Sequence, residues 1–400
     1  MAKNRLAHFS YKSRKKIIYL DYASTTPVLN EVFEEMKPYF SMIFANPSSI
    51  HSFGQKALKV IDESRQKIKN LIAADYFNEI IFTSSATESN NLVIKGLAFF
   101  YYFKLRIKPH FITTEIEHPS IIEPLKDLKK INLIDYDFLP LDKNGLIKLD
   151  SIFKFIKNNT CLITIHYVNS EIGIIQPVKK IFDIIKEINK NRDLKILFHL
   201  DASQAPLTEN ISVKDLGVDL MTLSSHKIYG PKGVACLYKK NNIFFEKLIS
   251  GSEQEFNLRS GTENVPLIVG FAKALEIAVN NRISLRNYLD NLRTYFLNKI
   301  SQNKINFEIN ADLNLSTPKI INLYFPQKTA EEILIYLDQN NIFVSSGMAC
   351  KSRAPLPNEV VTKLYPERGK NSLRFSFGRE TKNKDIDYLV NILAKLIKNK

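Results

Sequence analysis

VDLMTLSSHKIYGPKG, residues 218–233, is the stretch on which the fold turns. A short apolar run up to Leu223 meets a polar turn holding Ser224, His226 and Lys227, and Gly-Pro-Lys-Gly then leads into GVACLYKK at 233–240. A run this short, closed by turn residues, has the length of a buried strand rather than of a helix. The same arrangement recurs upstream. EIIFTS at 79–84 leads into a helical run from about Glu88 to Tyr102, HFITTEIEH at 110–118 precedes IIEPLKDLKK, and CLITIHYV at 161–168 precedes VKKIFDIIKEINK. LKILFHLDAS occupies 194–203. Strands alternating with helices predict an α/β fold whose central sheet is mostly parallel and covered on both faces.

After about residue 275 the pattern changes to helix, short strand, helix, with KIINLYF and LRFSF as the clearest strands and DIDYLVNILAKLIKN as a closing helix. The expected division is a large domain over 17–275 and a smaller α+β domain from 1–16 plus 276–400. The chain has 400 residues, enough for more than one domain, and 44% hydrophobic with 24% charged residues is ordinary for a globular protein. Three cysteines without regular spacing exclude a disulfide framework and favour a reducing compartment. No apolar stretch reaches the roughly 18 residues of a membrane span. The basic start MAKNRLAHFSYKSRKK lacks the apolar core of a secretory signal, so a cytoplasmic location is expected, with organellar targeting as the alternative. A net charge of +15 is spread along the chain and fits a basic solvated surface, an acidic protein partner or nucleic acid. No basic-aromatic groove pattern identifies a nucleic-acid module.

In an open α/β sheet, ligands bind where strands finish. At FTSSATESNN, Ser85 and Glu88 match a helix capping box, and the free N–H groups of the first turn at Ala86, with the Thr87 hydroxyl, suit a phosphate. An ordinary capped helix gives the same pattern. At HLDASQ, Asp201 follows an apolar strand, where a carboxylate needs a partner: a protonated heteroaromatic nitrogen, or a structural hydrogen bond. At SSHKIYGPKG, Lys227 is a candidate Schiff-base amine and Lys232 its rival. Cys161 and Cys236 sit in strand-like runs, but Cys350 in SSGMACKSR has small and cationic neighbours that favour a reachable thiolate.

A phosphate-capturing helix start, an acid and a lysine at successive strand ends are what pyridoxal 5'-phosphate chemistry needs. The chain resembles the cysteine desulfurases of the NifS/IscS type, within the class V aminotransferase-like pyridoxal-phosphate enzymes. The resemblance covers nearly the full length and is carried by YLDYASTTP, NPSSIHSFG, FTSSATESNN, TEIEHPS, VNSEIGIIQP, HLDASQ, SSHKIYGPKG, RSGTEN, SSGMACKS and LRFSFGR, in that order. It implies a fold type I transferase in which Lys227 holds the cofactor, Asp201 pairs with the pyridine nitrogen, and His118 stacks on the ring and assists proton transfer. Gln204 is expected at the phenolic oxygen and Asn169 beside the cofactor or the substrate carboxylate. The phosphate is expected on Thr87, Ser224 and His226, with Thr262 reaching the phosphate of the other subunit of a homodimer. Arg374 is expected to receive the α-carboxylate of L-cysteine, and Cys350 to take its sulfur. The resemblance further implies a sulfur-acceptor protein, such as an iron–sulfur scaffold or a tRNA-thiolation relay protein.

The 24 positions from Cys350 to Arg374 fit the family branch with a long segment after the nucleophile. Met348, Ser170 and Ser85 depart from residues common in relatives, and Lys351 and Arg353 are expected to stabilise a thiolate or to meet an acidic acceptor. A selenocysteine lyase, a general class V aminotransferase and a cofactor-free RNA-associated relative are the alternatives, of which the aminotransferase leaves Cys350 unexplained.

Overall fold

The computed structural model describes residues 17–347 and 357–398. Its strands are β1 (Ile18–Tyr19), β2 (Ile80–Thr83), β3 (His110–Thr113), β4 (Asp135–Phe138), β5 (Thr160–His166), β6 (Leu197–Asp201), β7 (Leu220–Ser224), β8 (Ala235–Lys239), β9 (Glu308–Ile309), β10 (Ile320–Tyr324), β11 (Ile342–Phe343) and β12 (Ser372–Ser376). The central sheet has seven strands in the order β2-β8-β7-β6-β5-β3-β4. The β3–β4, β3–β5, β5–β6 and β6–β7 pairs are parallel, and β8 is antiparallel to both β2 and β7. Every strand of this sheet except β8 therefore finishes at the same edge.

Buried β5, TCLITIH, has no exposed position, as a strand covered on both faces requires. One face packs against helices Ala86–Phe99 and Pro119–Lys130 through Leu92, Val93, Leu97, Ile121 and Leu125. The opposite face carries the larger core, where Ile163, Ile165, Phe198 and Met221 join Ile181 and Ile185 of helix Val178–Lys190. The helix Val213–Leu216 stops at Gly217, whose φ of +72° is the left-handed cap that glycine adopts without strain. A side chain there would also strike the Phe182 ring.

Helix Ala86–Phe99 begins ahead of the expected Glu88 and continues through a π-helical turn, Phe100–Lys104. The C-terminal region forms a three-stranded antiparallel sheet, β12-β10-β9, with helices Arg282–Gln302, Ala330–Gln339 and Asn383–Lys398. The first described strand joins this region: β1 pairs in parallel with β11, and Ala23 N–H donates to Ser376 Oγ at 2.9 Å. Phe296, Leu323, Phe375 and Leu389 belong to the same continuous core as Ile163 and Phe198.

Candidate active site

Lys227 leaves the end of β7 on a single 3-10 turn, Ser225–Lys227. Its Nζ donates to the Ala23 carbonyl at 2.6 Å. Burial, with Arg374 nearby, draws its pKa down to about 8, against the opposing pull of Asp21 and Asp201. At the end of the neighbouring β6, Asp201 accepts from Ser203 Oγ at 2.6 Å, Ser203 N–H at 3.0 Å and Asn90 Nδ2 at 2.8 Å. Burial alone would raise its pKa, but these hydrogen bonds outweigh that and keep the carboxylate ionised. Behind it, buried His199 bridges β5 and β7 through Thr164 and Thr222 and is pushed to about 4, so it stays neutral.

His118 caps helix Pro119–Lys130: its Nδ1 accepts from Ser120 N–H at 3.1 Å and lies 2.8 Å from Ser120 Oγ. Asn90 Nδ2 donates to the same Ser120 oxygen at 2.9 Å, which turns the serine O–H toward His118. With Nδ1 accepting, the neutral imidazole carries its hydrogen on Nε2. The surrounding protein, and Lys227, lower its pKa against the pull of Asp201. His118, Ser120, Asn90 and Asp201 thus form one hydrogen-bonded chain across three strand ends.

Ser85 caps helix Ala86–Phe99 by accepting from Glu88 N–H at 3.2 Å. The expected capping box closes only by half, because the Glu88 carboxylate reaches past Ser85 to Ser84 N–H at 2.8 Å and also takes Arg259 Nε at 3.0 Å. Thr87 is exposed on this first turn. His226, beside Thr25 at 3.1 Å, is pushed to about 4 by burial and by Lys227, Lys232 and Lys319, so it offers a neutral ring. Ser224 is buried at the end of β7, and Thr262 lines a small cavity with Ser84, Arg259 and Gly233. Lys232 lies beyond the turn that carries Lys227.

Asn169 is buried, with Oδ1 accepting from Glu171 N–H at 2.9 Å and Ile172 N–H at 3.0 Å while Nδ2 donates to the Ile116 carbonyl at 3.1 Å. Most of its capacity holds the 169–172 turn. Arg374, on β12, donates through Nη1 to Ser170 O at 2.9 Å and Glu171 Oε1 at 2.8 Å, and through Nη2 to Asp21 Oδ1 at 2.7 Å and Ser24 Oγ at 2.6 Å. Its Nε is buried without a partner among the described residues. Gln204 is buried, with Nε2 on the Ala23 carbonyl at 2.7 Å and Oε1 accepting from Lys319 Nζ at 3.0 Å.

Cys350 lies outside the described residues, as do Met348, Lys351 and Arg353. The positions flanking that segment stand at the Arg374 wall. Ser345 exchanges backbone hydrogen bonds with Arg374 at 3.2 and 2.7 Å, Gly347 has a φ of +126°, and a Cβ there would approach Asn358 Nδ2 to 2.9 Å. Asn358 in turn donates to Glu171 Oε2 at 2.9 Å. Cys161 and Cys236 are buried, and burial raises both thiols far above the range in which a thiolate forms.

Sequence reasoning missed Glu171, Asn90, Ser120 and Lys319. The first three stand inside quoted motifs as polar residues, each with at least one partner 30 or more residues away. Lys319 is one lysine among many, marked only by its place before an apolar strand. Burial, Lys227 and Arg374 lower it to about 7.

The strand-end amine, the ionised acid and the capped helix start define a site suited to pyridoxal phosphate: a lysine partly free of its proton, a carboxylate for a cationic nitrogen and N–H groups for a phosphate. The aminotransferase class-V family model matches residues 18–389. The cysteine desulfurase IscS of Dictyoglomus turgidum is 39% identical over 385 residues, covering 96% of this chain and 95% of that protein. The cysteine desulfurase IscS of Rickettsia prowazekii is 40% identical over 385 residues, covering 95% and 91%. Among solved structures, a NifS-like protein superposes with a TM-score of 0.88 at 30% identity, covering 96% of this chain and 100% of its own. SspA in complex with cysteine gives a TM-score of 0.77 at 35% identity, covering 90% and 98%. The chain belongs to the class V aminotransferase family of pyridoxal-phosphate-dependent enzymes. Within that family its place is among the cysteine desulfurases of the IscS group.

Proposed function

We propose that this chain converts L-cysteine to L-alanine and passes the sulfane sulfur through a Cys350 persulfide to an acceptor protein. The observation that carries the reading is the meeting, at one sheet edge, of Lys227, Asp201 and His118 with Arg374 and both stems of the Cys350 segment. Lys227 would hold pyridoxal phosphate, Asp201 would pair with its ring nitrogen and Gln204 with its phenolic oxygen, and the turn at Ala86 and Thr87 with Ser224 and His226 would take its phosphate. Bound there, the group supplies an electron sink for the charge left on the substrate Cα.

The Lys227 amine would be the base that takes the Cα proton. Asp201 stays ionised and so favours a protonated ring nitrogen. Arg374 offers a planar fork to the α-carboxylate, exchanging it for one of its present acids, and Asn169 steadies the same side. His118 presents Nε2–H for proton transfer. The Cys350 thiolate attacks the substrate sulfur: an S–S bond forms, the C–S bond breaks, and its electron pair stays on the carbon, which takes a proton, while Lys227 gives the proton it holds back to Cα so that alanine leaves. The sulfane sulfur then moves to a second thiol.

The chain works as a homodimer in which Thr262 completes the partner's phosphate site, and it is cytoplasmic. Among the described residues no helix is long and apolar enough to cross a membrane. The acceptor is an iron–sulfur scaffold or a tRNA-thiolation relay protein, and the chain's positive charge suits an acidic one. Cys350→Ser should keep the cofactor's visible absorption while alanine release falls about a hundredfold or more. Full activity in that variant would remove Cys350 from the reaction.

A further inference from the structure

Lys319 is 1% exposed and takes no part in the steps above. Its main chain is locked where β10 begins, with Phe377 N–H donating to its carbonyl at 2.9 Å. Its side chain reaches the edge of the large sheet and donates to Gln204 Oε1 at 3.0 Å. Gln204 Nε2 donates to Ala23 O at 2.7 Å, and Lys227 Nζ donates to that same carbonyl at 2.6 Å. One hydrogen-bonded chain thus joins the two lysines. Burying a lysine is costly, and an apolar residue of similar length would fill the space without that cost.

The two ends of a glutamine amide are alike in shape and opposite in hydrogen-bonding sense. A backbone carbonyl only accepts, so Ala23 takes the NH2 end of Gln204, and the Lys319 side chain, which donates as ammonium or as amine, meets the oxygen end and leaves Gln204 a single orientation. The oxygen faces Lys319, and the NH2 group faces Ala23 and the Lys227 side. One of its hydrogens goes to Ala23, and the second is available to a ligand oxygen. We propose that Lys319 is a positioning residue that fixes Gln204 so that its amide donates to the cofactor's anionic phenolic oxygen and never presents its own oxygen there. The inference rests on the assignment of Lys227 and Gln204 to pyridoxal phosphate. Lys227, Arg374 and His226 are the other ionisable groups close to Lys319, and none of them bonds to Gln204 directly.

The test is a double-mutant cycle on the full chain, reading pyridoxal-phosphate affinity by titration of the cofactor-free protein and the pH midpoint of the bound cofactor's visible band. Lys319→Met should weaken binding about fivefold to tenfold and move that midpoint. Gln204→Ala should weaken it as much, and the double variant should bind no worse than Gln204→Ala alone. Losses that multiply in the double variant, or wild-type binding by Lys319→Met, would overturn the proposal. Lys319→Gln, which can meet Gln204 with either end of its amide, should show a smaller loss and keeps the cycle available if the methionine variant does not fold. Borohydride reduction and peptide mapping check the underlying assignment separately. A label on Lys227 supports it, whereas a label on Lys319 would remove both that assignment and this inference.

Discussion

Arg374 spreads its Nη hydrogens over two acids that differ in kind. Glu171 is 5% exposed at its side chain and is held again by Asn358, whereas Asp21 is 20% exposed and held by Ser24. On the role proposed for Arg374, a substrate carboxylate exchanges more easily with Asp21. Asp21→Asn should lower KM for cysteine several-fold with little change in kcat, and a raised KM would instead make Asp21 a support for the arginine. Lys227 carries a second residue-scale prediction. With a pKa near 8 in the cofactor-free protein, its amine is about half neutral at pH 8, where an ordinary lysine is neutral to well under about 1%. The rate at which an amine-reactive label modifies Lys227, followed by mass spectrometry, should reach half its maximum near pH 8, against above about pH 10 for surface lysines. Lys227 and Asp201 were legible because a charged residue closing an apolar run stands out. Lys319 and Glu171 were not, since their meaning lies in partners more than a hundred residues away.

At the scale of elements, the turn that starts helix Ala86–Phe99 is braced from behind. Arg65 pairs with Glu255 through bonds of 2.8 and 2.7 Å, both side chains nearly fully buried, and Glu255 Oε2 also takes Phe82 N–H at 2.7 Å. Glu255, Phe256 and Asn257 all hold left-handed backbone, with φ of +48°, +56° and +62°. The Arg65 guanidinium lies over the Phe82 and Phe256 rings. Removing one partner strands the other charge, so Glu255→Ala should cost about 3–5 kcal/mol in denaturant unfolding. The long buried strands and the amphipathic helices were readable from their apolar period. β4, DYDF, was not, because this partly exposed edge strand carries two acids within four residues and so shows no apolar run. The reversed direction of β8 was hidden too, since strand polarity in a sheet depends on connections rather than on composition.

On the scale of the whole molecule, His199 ties β5 to β7 and His226 meets Thr25, both as neutral rings. Both are depressed to about 4 in the folded protein, against about 6.5 in an unfolded chain. Between those values the unfolded chain binds protons that the folded one does not, so their stabilisation is complete above about pH 6.5 and is lost as pH falls toward 4. Thermal melting of the cofactor-free protein should be level from pH 7 to 8 and drop by several degrees from pH 6.5 to 4.5, with a gentler slope in His226→Gln. The alternation of strands and helices foretold the large sheet. It gave no sign that Ile18–Tyr19 would pair with a strand more than 300 residues later, because two-residue strands have no period to read. The meeting of Gly347 and Asn358 has a different kind of consequence. Because the fold itself holds those two positions together, the segment between them closes over a gap already spanned, and each doubling of its length costs only about 0.6 kcal/mol. A change of length between Gly347 and Asn358 is thus cheap in thermodynamic terms, because the fold has already brought both ends together.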